Sequence, residues 1–243
     1  MKKVLLGLLL VTTMVSYAQE KVLLRLKYNK GDKYAMKMNM KQDMGMMLMN
    51  MNMDFQVDVK DVVKDVFTTH MTINHVKTDM NQAGMEISYD SSQKEEEMSA
   101  MAKGIHARMK PLLSLLIAVE TNNLGKVVST KVLEGQGDAS SMTQNSSSVV
   151  YPEEKVGVGS SWTNTTSREG MKIVYTYTVK SIDAKNVVLD LKGKVSELGE
   201  GNVSGAITID RATGIPSESN INMNVSISGQ TIKSDVAVIT TKI

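Results

Sequence analysis

Apolar and polar residues alternate with a period of two along most of the chain. Val22, Leu24, Leu26 and Tyr28 fall on one side of an extended segment, with Leu23, Arg25 and Lys27 between them. After the turn sequence Asn29-Lys30-Gly31-Asp32, Tyr34, Met36, Met38 and Met40 alternate with polar residues at Lys37, Asn39 and Lys41. At Met46-Met47 the parity changes. Apolar positions are even before it and odd after it, through Met47, Met49, Met51, Met53, Phe55, Val57 and Val59. A strand cannot change its buried face without a bulge or a turn, and Gly45 places that break at 43–47. A further strand is expected over 65–78, where His70 and His75 have opposite parity and so belong on opposite faces. From Met171 onward the pattern predicts a meander through Val179, Val187 to Val195, Val203 to Ile209, Ile221 to Ile227 and Thr231 to Thr241.

One stretch departs from this period. Ser92 followed by Glu95 has the spacing of a capping box. Met98, Met101, Ala102, Ile105 and Met109 then recur at helical spacing until Pro111. A helix is expected near 93–110, and a Ser-, Gly- and Asn-rich connection at 134–148. About ten strands with short turns predict a mainly β fold. One helix cannot cover so many strands if they stay flat. The expectation is therefore a single large curved antiparallel sheet, a half-open barrel, with the amphipathic helix on its concave side. Both halves share one pattern, so residues 19–243 are expected to form a single domain.

The N-terminus reads as an export signal. Lys2 and Lys3 precede a mostly apolar run from Val4 to Val11, and Ser16-Tyr17-Ala18 is a small-x-small cleavage site. A signal peptide at 1–18, cleaved after Ala18, predicts a soluble periplasmic or secreted protein. The apolar run is too short for a stable membrane span, and Leu112 to Val119 is shorter than a span requires, so no transmembrane segment is expected. The 243-residue chain has no cysteine, which excludes disulfides and a lipid thioether. Of its 28 lysines and arginines, 26 remain beyond the signal, against 26 acidic residues. A neutral chain has no electrostatic drive toward nucleic acid. Aromatics at 4% argue against a surface that stacks sugars or bases.

Methionine is the unusual component. Residues 36–53 hold nine of the 18 methionines beyond the signal. Three readings stand side by side. Met fills irregular gaps in a core. Flexible thioethers adapt to ligands of varied shape, so Met36, Met38, Met40, Met49, Met51 and Met53 can line a site for an acyl chain. Thioethers are also soft ligands for monovalent copper or silver, to which His70, Met71 and His75 could add. The three histidines lack the spacing of a zinc site. No Gly-x-Ser-x-Gly, phosphate loop or dinucleotide fingerprint is present, so neither an enzyme nor a cofactor is expected. Glu95-Glu96-Glu97 suits the first turn of a helix better than acid–base chemistry.

Residues 151–162, Tyr-Pro-Glu-Glu-Lys-Val-Gly-Val-Gly-Ser-Ser-Trp, are followed at 207–216 by Ile-x-Ile-Asp-x-x-Thr-Gly-Ile-Pro. Together they resemble uncharacterised exported bacterial families of unknown function. The resemblance implies a shape similar to the outer-membrane lipoprotein carrier fold, an unclosed barrel with helices on its concave side. It implies no activity, and the chain differs from lipid-anchored relatives in having no cysteine. The functional expectation is a non-enzymatic exported protein that binds or carries an apolar ligand such as a lipid. The alternatives are a structural or envelope-interaction module without a ligand, and a soft-metal binder.

Overall fold

Backbone pairing joins the alternating segments into one antiparallel sheet. The computed structural model describes residues 20–136, 149–168 and 170–243; the expected signal at 1–18 and most of the connection at 134–148 lie outside them. The strands are β1 (Lys33–Asp43), β2 (Met47–Val63), β3 (Val66–Gln82), β4 (Met85–Asp90), β5 (Leu116–Asn122) and β6 (Val127–Glu134), followed by β7 (Ser161–Arg168), β8 (Met171–Ile182), β9 (Asn186–Glu197), β10 (Glu200–Asp210), β11 (Pro216–Ile227) and β12 (Gln230–Lys242). A helix, α1 (Ala100–Leu113), lies between β4 and β5. Along the sheet the order is β6-β5-β3-β2-β1-β12-β11-β10-β9-β8-β7, with β4 paired to the outer part of β3. The first and last strands meet at its centre, where Met38 lies opposite Val238.

The half-open barrel is not what forms. Closing a sheet requires its last strand to approach its first. Here the path simply ends at β6 on one side and β7 on the other, and the sheet is neither curled nor closed. The sequence of β7, Ser-Trp-Thr-Asn-Thr-Thr-Ser-Arg, suits a free edge, with polar residues at most positions. The unclosed barrel implied by the resemblance is corrected with it.

The helix does not plug the middle of the sheet either. It packs on β3 and β4 at one flank. Its N-cap is Ser99, whose hydroxyl accepts from the Ala102 amide at 3.2 Å, while Glu95–Glu97 form a separate 3₁₀ turn. Pro111 lies inside its last turn, where the missing N–H removes one bond without breaking a long ladder.

Extended segments supply the remaining cover. Residues 20–28 bury Val22, Leu24 and Leu26, as alternation requires, yet they do not join the sheet. Val22 and Val156 exchange amide bonds at 2.8 Å, tying this segment to the stretch 149–156. The Leu26 amide donates to Asn123 in the β5–β6 turn, and the next amide, of Lys27, donates to Thr213 in the β10–β11 turn. Gly125 (φ +82°) and Gly214 (φ +68°) occupy these turns, and a Cβ on either would strike the carbonyl of Val149 or Arg25 respectively.

Two apolar clusters result. Val187, Leu189, Ile207 and Ile209 are fully enclosed with Leu24, Leu26 and Tyr151. Phe55, Ile73, Val76 and Tyr89 pack with Met98 and Ala102 on the helix side. Within β3 the buried set runs Phe67, Thr69, Met71 and Ile73, then shifts to Val76 and Thr78. The register slips at this point, Asp54 facing His75 and Phe55 facing Ile73, so Asn74 is bulged out. That bulge places His70 and His75 on the same, polar face, contrary to the parity expectation.

Candidate functional site

The turn that follows Asp43 folds β1 back on β2. The Asp43 carboxylate accepts from the Gly45 amide at 2.8 Å, and the Met44 amide bonds to the Met47 carbonyl at 2.9 Å. The resulting register sets Met36 opposite Phe55, Met38 opposite Met53, Met40 opposite Met51 and Gln42 opposite Met49. The six methionines singled out by the sequence therefore share the face that carries the core. All six are half-buried. Met36, Met38, Met51 and Met53 pack against the helix-side cluster, while β12 contributes Val236 beside Met40 and Val238 beside Met38. The Thr78 hydroxyl, on β3 opposite Met51, is buried and has no hydrogen-bond partner among the described residues.

A cavity of about 150 Å³ lies at the Met36 end of this face. Its wall combines Leu26 and Tyr28 of the first extended segment and Tyr151 of the second with Met36, Val57 and Met71 of the sheet. Of the six methionines only Met36 reaches it. The volume is below the roughly 300 Å³ at which drug-sized ligands are enclosed, so it suits a short apolar segment.

The polar groups around the cavity are mostly engaged. The Tyr34 hydroxyl donates to Asp32 Oδ2 at 3.2 Å, the Tyr151 hydroxyl to the Gly214 carbonyl at 2.6 Å, and Thr69 Oγ1 to the Val119 carbonyl at 3.3 Å. Tyr28 is the exception. Its ring meets Tyr34 and Phe67 edge-on, at centroid distances of 5.5 and 5.3 Å, while its hydroxyl makes no hydrogen bond to a described residue and, not being among the buried unpaired atoms, is open to water. Burial pushes the Tyr28 phenol up to about 12, and like any phenol it is an uncharged donor at neutral pH. Sequence reasoning missed it, because Tyr28 reads as one more apolar position in an alternating run.

The imidazoles do not join the methionine ladder. His70 and His75 lie on the polar face, while Met71 points to the apolar one. His75 Nε2 is 2.8 Å from Asp90 Oδ1, and its Nδ1 is 3.7 Å from Asp54 Oδ2. Asp90 also accepts from the Ser92 hydroxyl at 2.6 Å and the Ser92 amide at 2.9 Å. The Ser92 hydroxyl, with its amide and His75, holds the Asp90 carboxyl down at about 2 against the opposing effect of burial. His106 lies on α1, its Nδ1 3.2 Å from the Tyr89 hydroxyl. Among the described residues no group of three or more His, Cys, Asp or Glu is placed to hold a metal ion. Trp162 is structural: its indole N–H donates to the Val150 carbonyl at 2.8 Å and its ring stacks on Tyr177.

No helix of the described residues is long and apolar enough to cross a membrane. No curated protein matches the chain. The stretches 151–162 and 207–216 both fall within the segment that does find a counterpart: over residues 130–231 the chain is similar to a family of unknown function (DUF6263).

Proposed function

We propose that this chain is a non-enzymatic exported protein that binds or carries an apolar ligand, the acyl chain of a fatty acid or lipid, in the periplasm. The observation behind this reading is the half-buried methionine face leading to a small apolar cavity in which Tyr28 offers an unengaged hydroxyl. Thioether side chains adapt to a flexible chain, and burial of its methylenes supplies the affinity. The Tyr28 hydroxyl supplies one directed bond to a carbonyl or carboxylate oxygen. The export signal at 1–18 supplies the compartment.

The small cavity volume favours a second reading, an envelope-interaction module whose face is closed by a protein partner. Native mass spectrometry of the protein recovered from its own periplasm separates the two. A co-purified lipid mass, together with saturable uptake of a fluorescent fatty acid, supports the carrier. A bare mass with no uptake of any fatty acid or phospholipid probe removes it.

A further inference from the structure

Strand direction places the hairpin turns at two opposite ends of the sheet. The β2–β3, β5–β6, β8–β9 and β10–β11 turns lie at one end, the β1–β2, β3–β4, β7–β8, β9–β10 and β11–β12 turns at the other. The two ends differ in charge. At the first, every turn carries charged residues: Lys64 and Asp65, Lys126, Asp183 and Lys185, and Arg211. At the second, the β9–β10 turn carries Glu197 and Glu200, but three turns that neighbour one another across the sheet carry no charge within them, the nearest being Asp43 and Glu86 at their borders. These are 44–48, Met-Gly-Met-Met-Leu; 82–85, Gln-Ala-Gly-Met; and 227–231, Ile-Ser-Gly-Gln-Thr. Large apolar side chains project from two of them, with Met46 at 78%, Leu48 at 53% and Met85 at 53% exposure. The three turns are also joined. The Ala83 amide donates to the Met46 carbonyl at 3.1 Å, and the Gln230 side chain donates to the Met44 carbonyl at 3.3 Å.

We infer that this methionine-tipped cluster of three uncharged turns inserts into the interfacial layer of a lipid bilayer. Hairpin turns are ordinarily where a chain places its polar residues. Apolar tips without charge match the boundary between headgroups and acyl chains, where side chains are desolvated without a charge to bury. The exposed side chains sit on hairpin turns and not along the walls of a groove that would take a peptide or helix. Three turns of a few residues each also fall short of the roughly 800 Å² a side that a stable dimer buries. The end is continuous with the candidate site. From the tip, β2 runs through Met47, Met49, Met51 and Met53 to Phe55, the cross-strand partner of the cavity residue Met36. A bilayer docked here stands at the foot of the methionine face, which gives an acyl chain a path between them; that last step rests on the proposed function.

The absence of cysteine makes the test direct, because a single introduced thiol can carry an environment-sensitive dye. Met46→Cys, Met85→Cys and Ala184→Cys, the last at the charged end, are labelled and mixed with phosphatidylcholine vesicles. The dye at 46 and 85 shifts to the blue and the dye at 184 does not. The shift persists in roughly 0.5 M salt, since screening weakens charge attraction and not apolar insertion. Met46→Asp with Met85→Asp lowers co-flotation with the same vesicles by about tenfold or more, while uptake of a soluble fatty acid probe is retained. No shift at 46 and 85, an equal shift at 184, or loss of binding in salt overturns the inference. Vesicle docking without uptake of the soluble probe leaves the inference standing and removes the carrier reading; uptake without docking does the reverse.

Discussion

The Tyr151 hydroxyl donates a 2.6 Å hydrogen bond to the carbonyl oxygen of Gly214, 63 residues further along the chain. It pins the segment 149–156 to the same turn that receives the Lys27 amide through Thr213. Tyr151→Phe removes the donor and leaves a buried acceptor unpaired. The loss of stability is expected at about 1–2 kcal/mol, read from the midpoint of urea denaturation. A change within about 0.3 kcal/mol would show that water replaces the bond.

Tyr28→Phe separates ligand chemistry from folding. The hydroxyl bonds to no described residue, so stability should change by less than about 0.5 kcal/mol. Affinity for a fatty acid probe should fall by about 1 kcal/mol, the worth of one hydrogen bond, while an alkane of equal length is unaffected. Equal affinity of both proteins for the fatty acid would place the head of the ligand elsewhere.

Replacing Met38, Met40, Met51 and Met53 with Leu keeps volume and apolarity. Each exchange should cost under about 1.5 kcal/mol in chemical denaturation. Fatty-acid uptake should fall modestly, because the apolar area remains. Binding of monovalent copper, tested in parallel, should disappear if sulfur is the ligand. Uptake abolished by these four exchanges would mean that the shape or polarizability of the thioether matters more than burial.

The Asp90 carboxyl carries a pH signature. Its native value of about 2 lies below the ordinary 3.8, so the folded state prefers the charged form. A depressed carboxyl stabilises fully above its unfolded value and loses that contribution as pH falls through its folded one. Wild type should therefore be more stable than Asp90→Asn at about pH 6, and the gap should close between about pH 4 and pH 2. Urea midpoints across that range test it, and a gap that stays constant would show that Ser92 and His75 do not hold the charge.

Much of the sheet was legible because alternation reports which side chains share a face. The break at 43–47 and the common face of the six methionines follow from parity alone, and the register of β1 with β2 bears both out. The bulge at Asn74 shows in the sequence only as Ile73 and Val76 three apart in a strand that otherwise steps by two. Residues 20–28 alternate as a strand does, yet they lie outside the sheet. Alternation records one buried side and says nothing of what the backbone bonds to. Closure was unreadable for the same reason. Whether β6 and β7 meet depends on the twist and stagger accumulated over the intervening strands, and no single residue carries that. Ser99 caps the helix although Ser92 and Glu95 have the spacing of a capping box, because the chain takes a separate 3₁₀ turn at Glu95–Glu97 first.

The fastening of residues 20–28 has a consequence for how the molecule assembles. Arg25 bonds to the Pro152 carbonyl 127 positions away, and Arg211 reaches Glu20 across 191. The segment precedes in synthesis every strand whose turns it ties together, so its fastening is complete only once β10 and β11 have emerged and folded. Contacts this distant in sequence form slowly, since a long loop has to be closed before they are gained. The segment behaves as a latch whose final catch is the Thr213 carbonyl. A chain shortened before Thr213 can assemble its early hairpins and keep the Val22–Val156 and Leu26–Asn123 bonds, but it has no seat for the Lys27 amide and lacks Ile215 from the cluster that buries Leu24 and Leu26.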